Sequence, residues 1–216
     1  MKLLAFNGSP RKTWNTATLL EHAMKGAESA GAETELFHLY DLDFKGCRSC
    51  FACKRIGGAS YGHCAQKDGL SPLLKAAESA DAILIGSPIY YAITTGETRS
   101  FLERLMFPFS VYDPQRSTLF GRKIKTAFIY TAGAPEPMVK ERGFDKNAQL
   151  TEMAMERIFG SCESFFVTDT YQFDDYSKFV STAFDPVAKK KRREEQFPKD
   201  CEKAYELGVR LVRTTP

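Results

Sequence analysis

Short apolar runs alternate with amphipathic stretches along this chain, and the alternation is the feature that most constrains its fold. The run Ala82–Ile85 contains no polar residue, as expected of a strand covered on both faces of a parallel sheet. Residues 16–31 instead carry apolar side chains at helical spacing. Strands and helices that alternate in this way predict a three-layer α/β sandwich, with a parallel sheet between helical layers.

The same patterns locate five strands and the helices between them. The predicted strands are residues 2–6, 35–39, 82–85, 124–130 and 165–167. The predicted helices are residues 16–31, 71–79, 95–107, 145–159 and 187–212. We expect Gly31 to end the first helix in a left-handed conformation, and Ser71 to cap the second, ahead of Pro72. A five-stranded parallel sheet suits the strand order 2-1-3-4-5, whose ligand site lies beyond strands one and three.

Composition and charge exclude several classes of protein. A hydrophobic content of 43% over 216 residues is that of a globular chain, and we expect one domain over residues 1–216. The net charge of +3 gives no argument for a nucleic-acid or membrane partner. The basic run Lys189–Arg193 is interpreted as a solvated helix face. Because no long apolar run is present and a strand follows Met1-Lys2 directly, we expect a cytoplasmic protein without a signal peptide.

Two loops after strands one and three carry the residues best suited to bind a ligand. The first, residues 7–16, supplies hydroxyl, amide and guanidinium donors directly before a helix, where proteins commonly bind phosphate. Its candidate phosphate-binding residues are Ser9, Arg11, Asn15 and Thr16. The second, residues 86–91, offers backbone groups and the rings of Tyr90 and Tyr91, which suit a flat heterocycle. Together the loops predict a site for a phosphorylated aromatic cofactor.

Glycine spacing in the first loop argues against two common nucleotide sites. A dinucleotide fingerprint needs G-x-G-x-x-G, whereas Gly8 is the only glycine in residues 7–16. A Walker loop needs G-x-x-x-x-G-K-[ST], whereas Thr13 stands five residues after Gly8. The alternative interpretation of this loop is an ordinary capped helix start, and that of the two tyrosines is packing beneath the next helix.

These motifs resemble a known family. The segments Gly8–Lys12, Asn15-Thr16 and Ser87–Tyr90, with Gly96 and Arg104 downstream, are similar to those of the NAD(P)H-dependent FMN reductase family. The resemblance covers about residues 1–170 and implies a flavodoxin-like fold, bound FMN and flavin reduction by a nicotinamide cofactor. It also implies that the candidate residues of the first loop hold the FMN phosphate. The residues implied to contact the isoalloxazine ring are Pro88, Ile89 and Tyr90, and Thr131 and Gly133 of the loop after the fourth strand. Tyr91 is a further candidate, from its aromatic ring in the second loop.

A cysteine-rich insertion at about residues 40–68 narrows the resemblance to the iron-sulfur flavoprotein branch. Its cysteines have the spacing C-x2-C-x2-C-x10-C and are Cys47, Cys50, Cys53 and Cys64. Three close thiols and a more distant fourth suit a [4Fe-4S] cluster. The flanking basic residues Lys45, Arg48, Lys54 and Arg55 are expected to lower the thiol pKa values. Zinc binding and unligated structural cysteines are the alternatives.

The function predicted from these features is an FMN-dependent oxidoreductase that takes electrons from NAD(P)H and passes them to an acceptor. A non-enzymatic flavodoxin-like electron carrier and a zinc-stabilised binding protein are the alternatives. An aromatic arm at about residues 171–185 is interpreted as packing, across a subunit boundary, or as a lid over the flavin. Residues 99–113 hold more apolar side chains than one buried helix face needs, so we expect a homodimer or homotetramer.

Overall fold

The computed structural model describes residues 1–213, and its strands form a sheet flanked by helices. The helices and strands, in chain order, are β1 (Lys2–Asn7), α1 (Asn15–Ser29), β2 (Glu33–His38), α2 (Ser71–Ser79), β3 (Ala82–Tyr90), β4 (Ile93–Thr94), α3 (Gly96–Met106), β5 (Ile124–Thr131), α4 (Glu136–Glu141), α5 (Phe144–Phe159), β6 (Gly160–Val167), α6 (Pro186–Glu195) and α7 (Phe197–Val212). None of these helices is long and apolar enough to cross a membrane.

Five strands run parallel in the order β2-β1-β3-β5-β6, and the short β4 pairs antiparallel with the end of β3. The predicted fold class and the order of the parallel strands are confirmed, with β4 as an addition. In the sheet register Asn7 lies beside Gly86, and Pro88 lies beside Thr131. The carboxyl ends of β1, β3 and β5 therefore meet at one edge, where ligands bind in sheets of this kind.

Two apolar cores cover the two faces of the sheet. Because successive side chains of a strand point to opposite faces, Leu4 and Phe6 enter one core and Leu3 and Ala5 the other. Helices α2, α3 and α5 cover the first face, and α1 and α7 cover the second. Each fully buried leucine or phenylalanine stabilises such a fold by roughly 1.5–3 kcal/mol. The cores hold the sheet edge rigid beneath the loops.

The structure corrects the predicted extent of two elements. Strand β3 continues to Tyr90, because its end pairs with both β4 and β5, so most of the predicted loop 86–91 is strand. The predicted final helix is two helices, α6 and α7, with Gln196 between them. Pro198 stands in the first turn of α7, and a proline deeper in a continuous helix would remove a hydrogen bond and clash with the preceding turn.

Local predictions about helix ends had different outcomes. Gly31 has the expected left-handed conformation, with φ of 85° after α1. Ser71 does not cap α2: it is the first helical residue, and its hydroxyl donates to the carbonyl of Gln66 at 2.7 Å. On α5, Leu150 and Met153 are 69% and 58% exposed.

The apolar segment 99–113 is mostly part of the chain's own core. Phe101, Leu102, Leu105 and Phe109 are all buried there, whereas Tyr112 is 78% exposed. The segment needs so many apolar residues because α3 and the turn after it fill the core above β1, β3 and β5. Its composition is therefore not an argument for a second copy of the chain, contrary to the sequence-based interpretation.

Candidate functional site

A cavity of about 180 Å³ opens at the sheet edge where β1, β3 and β5 end. The residues that line it are Ser9, Arg11, Trp14, Asn15, Thr16, Pro88, Ile89, Tyr90, Thr131, Gly133, Thr170, Tyr171, Gln172 and Phe173. The structure thus brings together every predicted cofactor-binding residue except Tyr91. Tyr91 lies outside the cavity, fully exposed in the turn between β3 and β4, with φ of 50°.

Helix α1 begins at this cavity without a side-chain cap. Its N-cap position is Trp14, and no side chain of the described residues accepts a hydrogen bond there. By contrast, the hydroxyl of Thr95 accepts from the N–H of Thr98 at the start of α3. The first N–H groups of a helix have no partner within the helix, so an uncapped start leaves them available to a ligand. The alternative of an ordinary capped helix start is therefore wrong for α1.

The loop between β1 and α1 is held by short polar contacts. The side-chain oxygen of Asn7 accepts from the N–H of Ser9 at 2.9 Å, and the Ser9 hydroxyl accepts from the N–H of Arg11 at 3.1 Å. The N–H of Gly8 donates to the carbonyl of Gly86 at 2.8 Å, which joins this loop to β3. A Cβ atom on Gly8 would lie 1.8 Å from the Thr98 hydroxyl, so this close approach requires glycine.

A buried hydroxyl pair joins the loop to β5. The Oγ1 atoms of Thr16 and Thr131 lie 2.8 Å apart, and both residues are buried. Since one hydroxyl of such a pair donates to the other, one O–H hydrogen remains for a ligand in the cavity. The pair holds two walls of the cavity at a fixed separation.

The aromatic arm forms the outer wall of the cavity in its own chain. Trp14 Nε1 and Asn15 Nδ2 donate to the carbonyl of Tyr171 at 3.0 and 2.8 Å, and Arg11 Nη1 donates to that of Gln172 at 2.5 Å. The ring of Phe173, which also lines the cavity, stacks on Phe179 with centroids 4.0 Å apart. Trp14 was not predicted as a site residue, because only the folded arm gives its indole a partner.

Helix α6 supplies two further contacts that the sequence analysis missed. Lys189 is only 2% exposed and its Nζ donates to the carbonyl of Gly133 at 2.5 Å and pairs with Asp169 at 2.5 Å. Arg193 Nη1 donates to the side-chain oxygen of Asn15 at 2.8 Å. Lys190 and Lys191 are exposed. The side chain of Arg192 is also largely buried and pairs with Asp200 at 2.7 Å. The interpretation of Lys189–Arg193 as a solvated face is therefore wrong for three of its residues, of which Lys189 and Arg193 stand four apart and contact residues that line the cavity.

A buried arginine of α3 makes several hydrogen bonds to the cysteine-rich segment. Arg104 pairs with the carboxylate of Asp68, through Nη1 at 2.5 Å and Nη2 at 3.0 Å. Its remaining donors bind the carbonyls of Lys45 and Gln66 and the sulfur of Cys64 at 3.0, 3.3 and 3.3 Å. All five N–H donors of the guanidinium are thus used. Burial alone would raise the pKa of Asp68, but hydrogen bonds and charge from Arg104 outweigh it and lower that pKa.

The sequence model of a family described as NADPH-dependent FMN reductase matches residues 1–138, well over half of the chain. The chain belongs to this family. The match covers the loops after β1 and β3 and the end of β5, which together form most of the cavity. The arm, which completes the outer side of the cavity, and α6, which contacts Asn15 and Gly133 behind it, lie beyond the residues that the family matches.

Similar proteins of known name share part of the chain. An iron-sulfur flavoprotein of Archaeoglobus fulgidus is 41% identical over 104 residues, which are 48% of this chain and 48% of the relative. A second from the same organism is 32% identical over 137 residues, 63% of this chain and 58% of the relative. The chain spans about half the length of the curated relatives that it matches.

Solved structures show the same fold over nearly the whole chain. An NAD(P)H:quinone oxidoreductase from Methanothermobacter marburgensis superposes with a TM-score of 0.68 at 15% identity, over 100% of this chain and 99% of that one. An azoreductase from Bacillus anthracis gives 0.67 at 14% identity, over 97% and 99% of the two chains. At these identities the likeness establishes the fold alone.

The four candidate metal ligands of this FMN reductase family member differ in their surroundings. Cys53 is buried and Cys50 exposed, whereas Cys47 and Cys64 are half-buried. Within residues 1–213, no three or more His, Cys, Asp or Glu side chains are gathered closely enough to hold a metal ion.

Flanking basic residues act to lower the pKa of two thiols, as expected, but in neither case are they the largest influence. The pKa of Cys50 is lowered, first by the N–H of Ala52 and, to a smaller extent, by Arg48. The pKa of Cys53 is raised, because burial outweighs the charge of Lys54. The segment therefore offers thiols of unlike reactivity.

Proposed function

We propose that this protein binds FMN in the cavity at the sheet edge and acts as an NAD(P)H-dependent oxidoreductase that passes electrons to an acceptor. The observation that carries the proposal is the uncapped start of α1, which opens onto a cavity shared with the ends of β3 and β5. We further propose one FMN-binding domain over residues 1–216, with an insertion at about 40–68 and an arm at about 171–185.

The donor set of the cavity fits a phosphate monoester. Arg11, the Asn15 amide, the Thr16–Thr131 hydroxyl pair and the first N–H groups of α1 all supply hydrogen-bond donors or positive potential. No carboxylate is among the described residues that line the cavity, so an anion meets no like charge there. The remaining walls, Pro88–Tyr90 and the loop Thr131–Gly133, are the surfaces proposed to contact the isoalloxazine ring.

The protein's part in the reaction is to orient the ring and exclude water. Bound FMN would supply the redox chemistry, because its ring accepts a hydride from a nicotinamide and releases electrons to an acceptor. Strand β3 fixes Pro88 and Ile89 through its pairing with β4 and β5, so this wall is rigid. The arm covers the side of the cavity opposite the sheet edge, where it limits access of water.

Cofactor analysis tests the proposal. We expect the purified or reconstituted protein to release FMN, identified by mass, after heat denaturation. Thr16→Val should weaken FMN binding about tenfold, because it removes one hydroxyl of the buried pair. Release of FAD alone, or no flavin after reconstitution, would contradict the FMN site. FMN binding without NAD(P)H oxidation in the presence of an acceptor would favour the electron-carrier alternative.

We also propose that Cys47, Cys50, Cys53 and Cys64 ligate a [4Fe-4S] cluster. Their spacing and the names of the relatives support this, and four thiols are the donors that such a cluster takes. Since the described side chains are not gathered around one point, ligation requires the segment to rearrange.

Metal analysis tests the cluster proposal. After anaerobic reconstitution we expect iron and sulfide in the wild type and a marked loss in Cys50→Ser. Cys162→Ser, outside the segment, is the matched control. Equal iron in the wild type and Cys50→Ser would contradict the cluster, and zinc in place of iron would support the zinc alternative.

We propose, finally, that the chain associates with at least one further copy. The basis is the set of exposed apolar side chains near the β3–β4 turn and on α5: Tyr91, Ile93, Leu150 and Met153. Light scattering at micromolar concentration should return at least a dimer mass, whereas a monomer mass would contradict the proposal.

A further inference from the structure

Helix α6 lies beyond the residues matched by the family, yet its Arg193 contacts Asn15, which lines the cavity. We propose that Arg193 is a positioning residue that makes the site select a phosphorylated flavin, by holding the Asn15 amide in the direction that presents its second N–H to the phosphate. This inference rests on the proposed FMN site. Arg193 does not itself line the cavity, so its action passes through Asn15.

The orientation of the Asn15 amide follows from the chemistry of its two neighbours. A guanidinium can only donate hydrogen bonds, so the atom 2.8 Å from Arg193 Nη1 must be the amide oxygen. A backbone carbonyl can only accept, so the atom 2.8 Å from the Tyr171 carbonyl must be the amide nitrogen. The amide NH2 carries two hydrogens, and the second is free for a phosphate oxygen.

Arg193 is held in place from two sides. Its guanidinium lies over the ring of Phe197, 4.0 Å from the centroid, and the residue is half-buried. One turn earlier on the same face, Lys189 is buried and bonded to the Gly133 carbonyl and to Asp169. These contacts anchor α6 against two walls of the cavity, so Arg193 meets Asn15 in a fixed geometry.

Without Arg193 the amide oxygen of Asn15 loses this partner, and the hydrogen bond from the amide nitrogen to the Tyr171 carbonyl holds the side chain from one end only. The amide can then swing about that bond, so its second N–H is no longer held in the direction of the phosphate. Riboflavin has the same ring system without the phosphate, so its affinity does not depend on this orientation. Arg193 therefore sets the ratio of the FMN and riboflavin affinities rather than flavin affinity in general.

Flavin titration of matched variants tests this. Arg193→Met keeps a side chain of similar length without a donor, and we expect FMN affinity to fall about tenfold with riboflavin affinity unchanged. Arg193→Lys, which retains one cationic donor, should recover part of the loss. Lys191→Met removes the same charge from an exposed position of α6 and should leave both affinities unchanged.

A double-mutant cycle covers the case in which riboflavin binds too weakly to titrate. In an Asn15→Ala background, Arg193→Met should have no further effect on FMN affinity, because Arg193 acts through Asn15. Equal losses of FMN and riboflavin, an undiminished FMN affinity in Arg193→Met, or additive effects in the cycle would each overturn the inference. A wild type that binds neither flavin would refute the proposed function instead.

Discussion

The cofactor cavity and the cysteine-rich segment are organised in opposite ways. The cavity lies where three parallel strands end and α1 begins, so the sheet register and a helix terminus place most of its donors. Residues 43–70 form no strand or α-helix, and side chains join them to the rest of the chain: Arg104 binds Asp68, and Lys54 donates to the carbonyls of Phe107, Pro108 and Ser110. A site placed by the backbone is assembled before any ligand arrives, whereas a segment held by side chains can rearrange around a ligand.

The largest effect should follow from removing the anchor of the cysteine-rich segment. Arg104→Met removes the ion-pair partner of the Asp68 carboxylate and the donor to the Lys45 carbonyl, and we expect a loss of about 3–5 kcal/mol in the free energy of unfolding. In hydrogen exchange, amides of residues 45–70 should lose protection before those of β1 and β3. Arg99→Met is the control, since this exposed arginine of the same helix forms a single ion pair among the described residues, with Glu103 at 4.0 Å. Equal losses of unfolding free energy in Arg104→Met and Arg99→Met would contradict the role of Arg104 in holding the cysteine-rich segment.

A substitution in the loop after β1 should destabilise that loop and leave the cysteine-rich segment intact. Gly8→Ala forces its Cβ against the Thr98 hydroxyl, and overpacking of this kind costs about 2–3 kcal/mol. Exchange should increase in the loop after β1 and leave the cysteine-rich segment protected. Gly96→Ala, where a Cβ meets no atom within 4 Å, should leave stability unchanged or raise it. If denaturant unfolding showed the two alanine variants to be equally stable, the tight approach at Gly8 would be disproved.

Acid should weaken the cysteine-rich segment through Asp68. The pKa of this group is lowered from its usual value of 3.8, with the opposing effect of burial outweighed by Arg104. Its stabilisation is therefore complete above the unfolded-state pKa and is lost as the pH falls through the lower folded-state pKa. We expect Asp68→Asn to be less stable than the wild type by about 1–2 kcal/mol at pH 7, and the difference to shrink below pH 4. If the stability difference between Asp68→Asn and the wild type did not change with pH, the ion pair with Arg104 would be contradicted.

The smallest effect is expected at Tyr130, beside the cavity residue Thr131. Tyr130 is fully buried, its ring stacks on Phe128 and Phe166, and its hydroxyl has no hydrogen-bond partner among the described residues. Burial raises its pKa, so the group stays neutral. Tyr130→Phe should change stability by no more than about 0.5 kcal/mol, or raise it slightly. Thr131→Val, which breaks a paired hydroxyl, should cost about 1 kcal/mol. A larger loss in Tyr130→Phe than in Thr131→Val would reveal a partner for the phenol.

The sequence by itself determined the parallel sheet, the order of its main strands and the side chains that meet at its edge. These follow from local patterns: apolar runs form buried strands, and polar residues before an amphipathic stretch mark a helix start. Since parallel strands end at one edge, the loops after β1, β3 and β5 had to be neighbours. Tyr91 was predicted at this edge but lies outside the cavity. It stands in the turn from β3 into β4, and the pairing of these two strands is not evident from the sequence of the turn.

Only the tertiary structure decided which residues complete the cavity and hold the cysteines. The contact between Arg193 and Asn15 joins residues 178 apart, and that between Trp14 and Tyr171 joins residues 157 apart. A basic run has the same sequence pattern whether its side chains are solvated or buried, because their burial depends on how α6 packs on the domain. Arg104 likewise finds Asp68 only when α3 covers the sheet. Contacts of this kind depend on the packing of whole elements, which no local pattern of residues encodes.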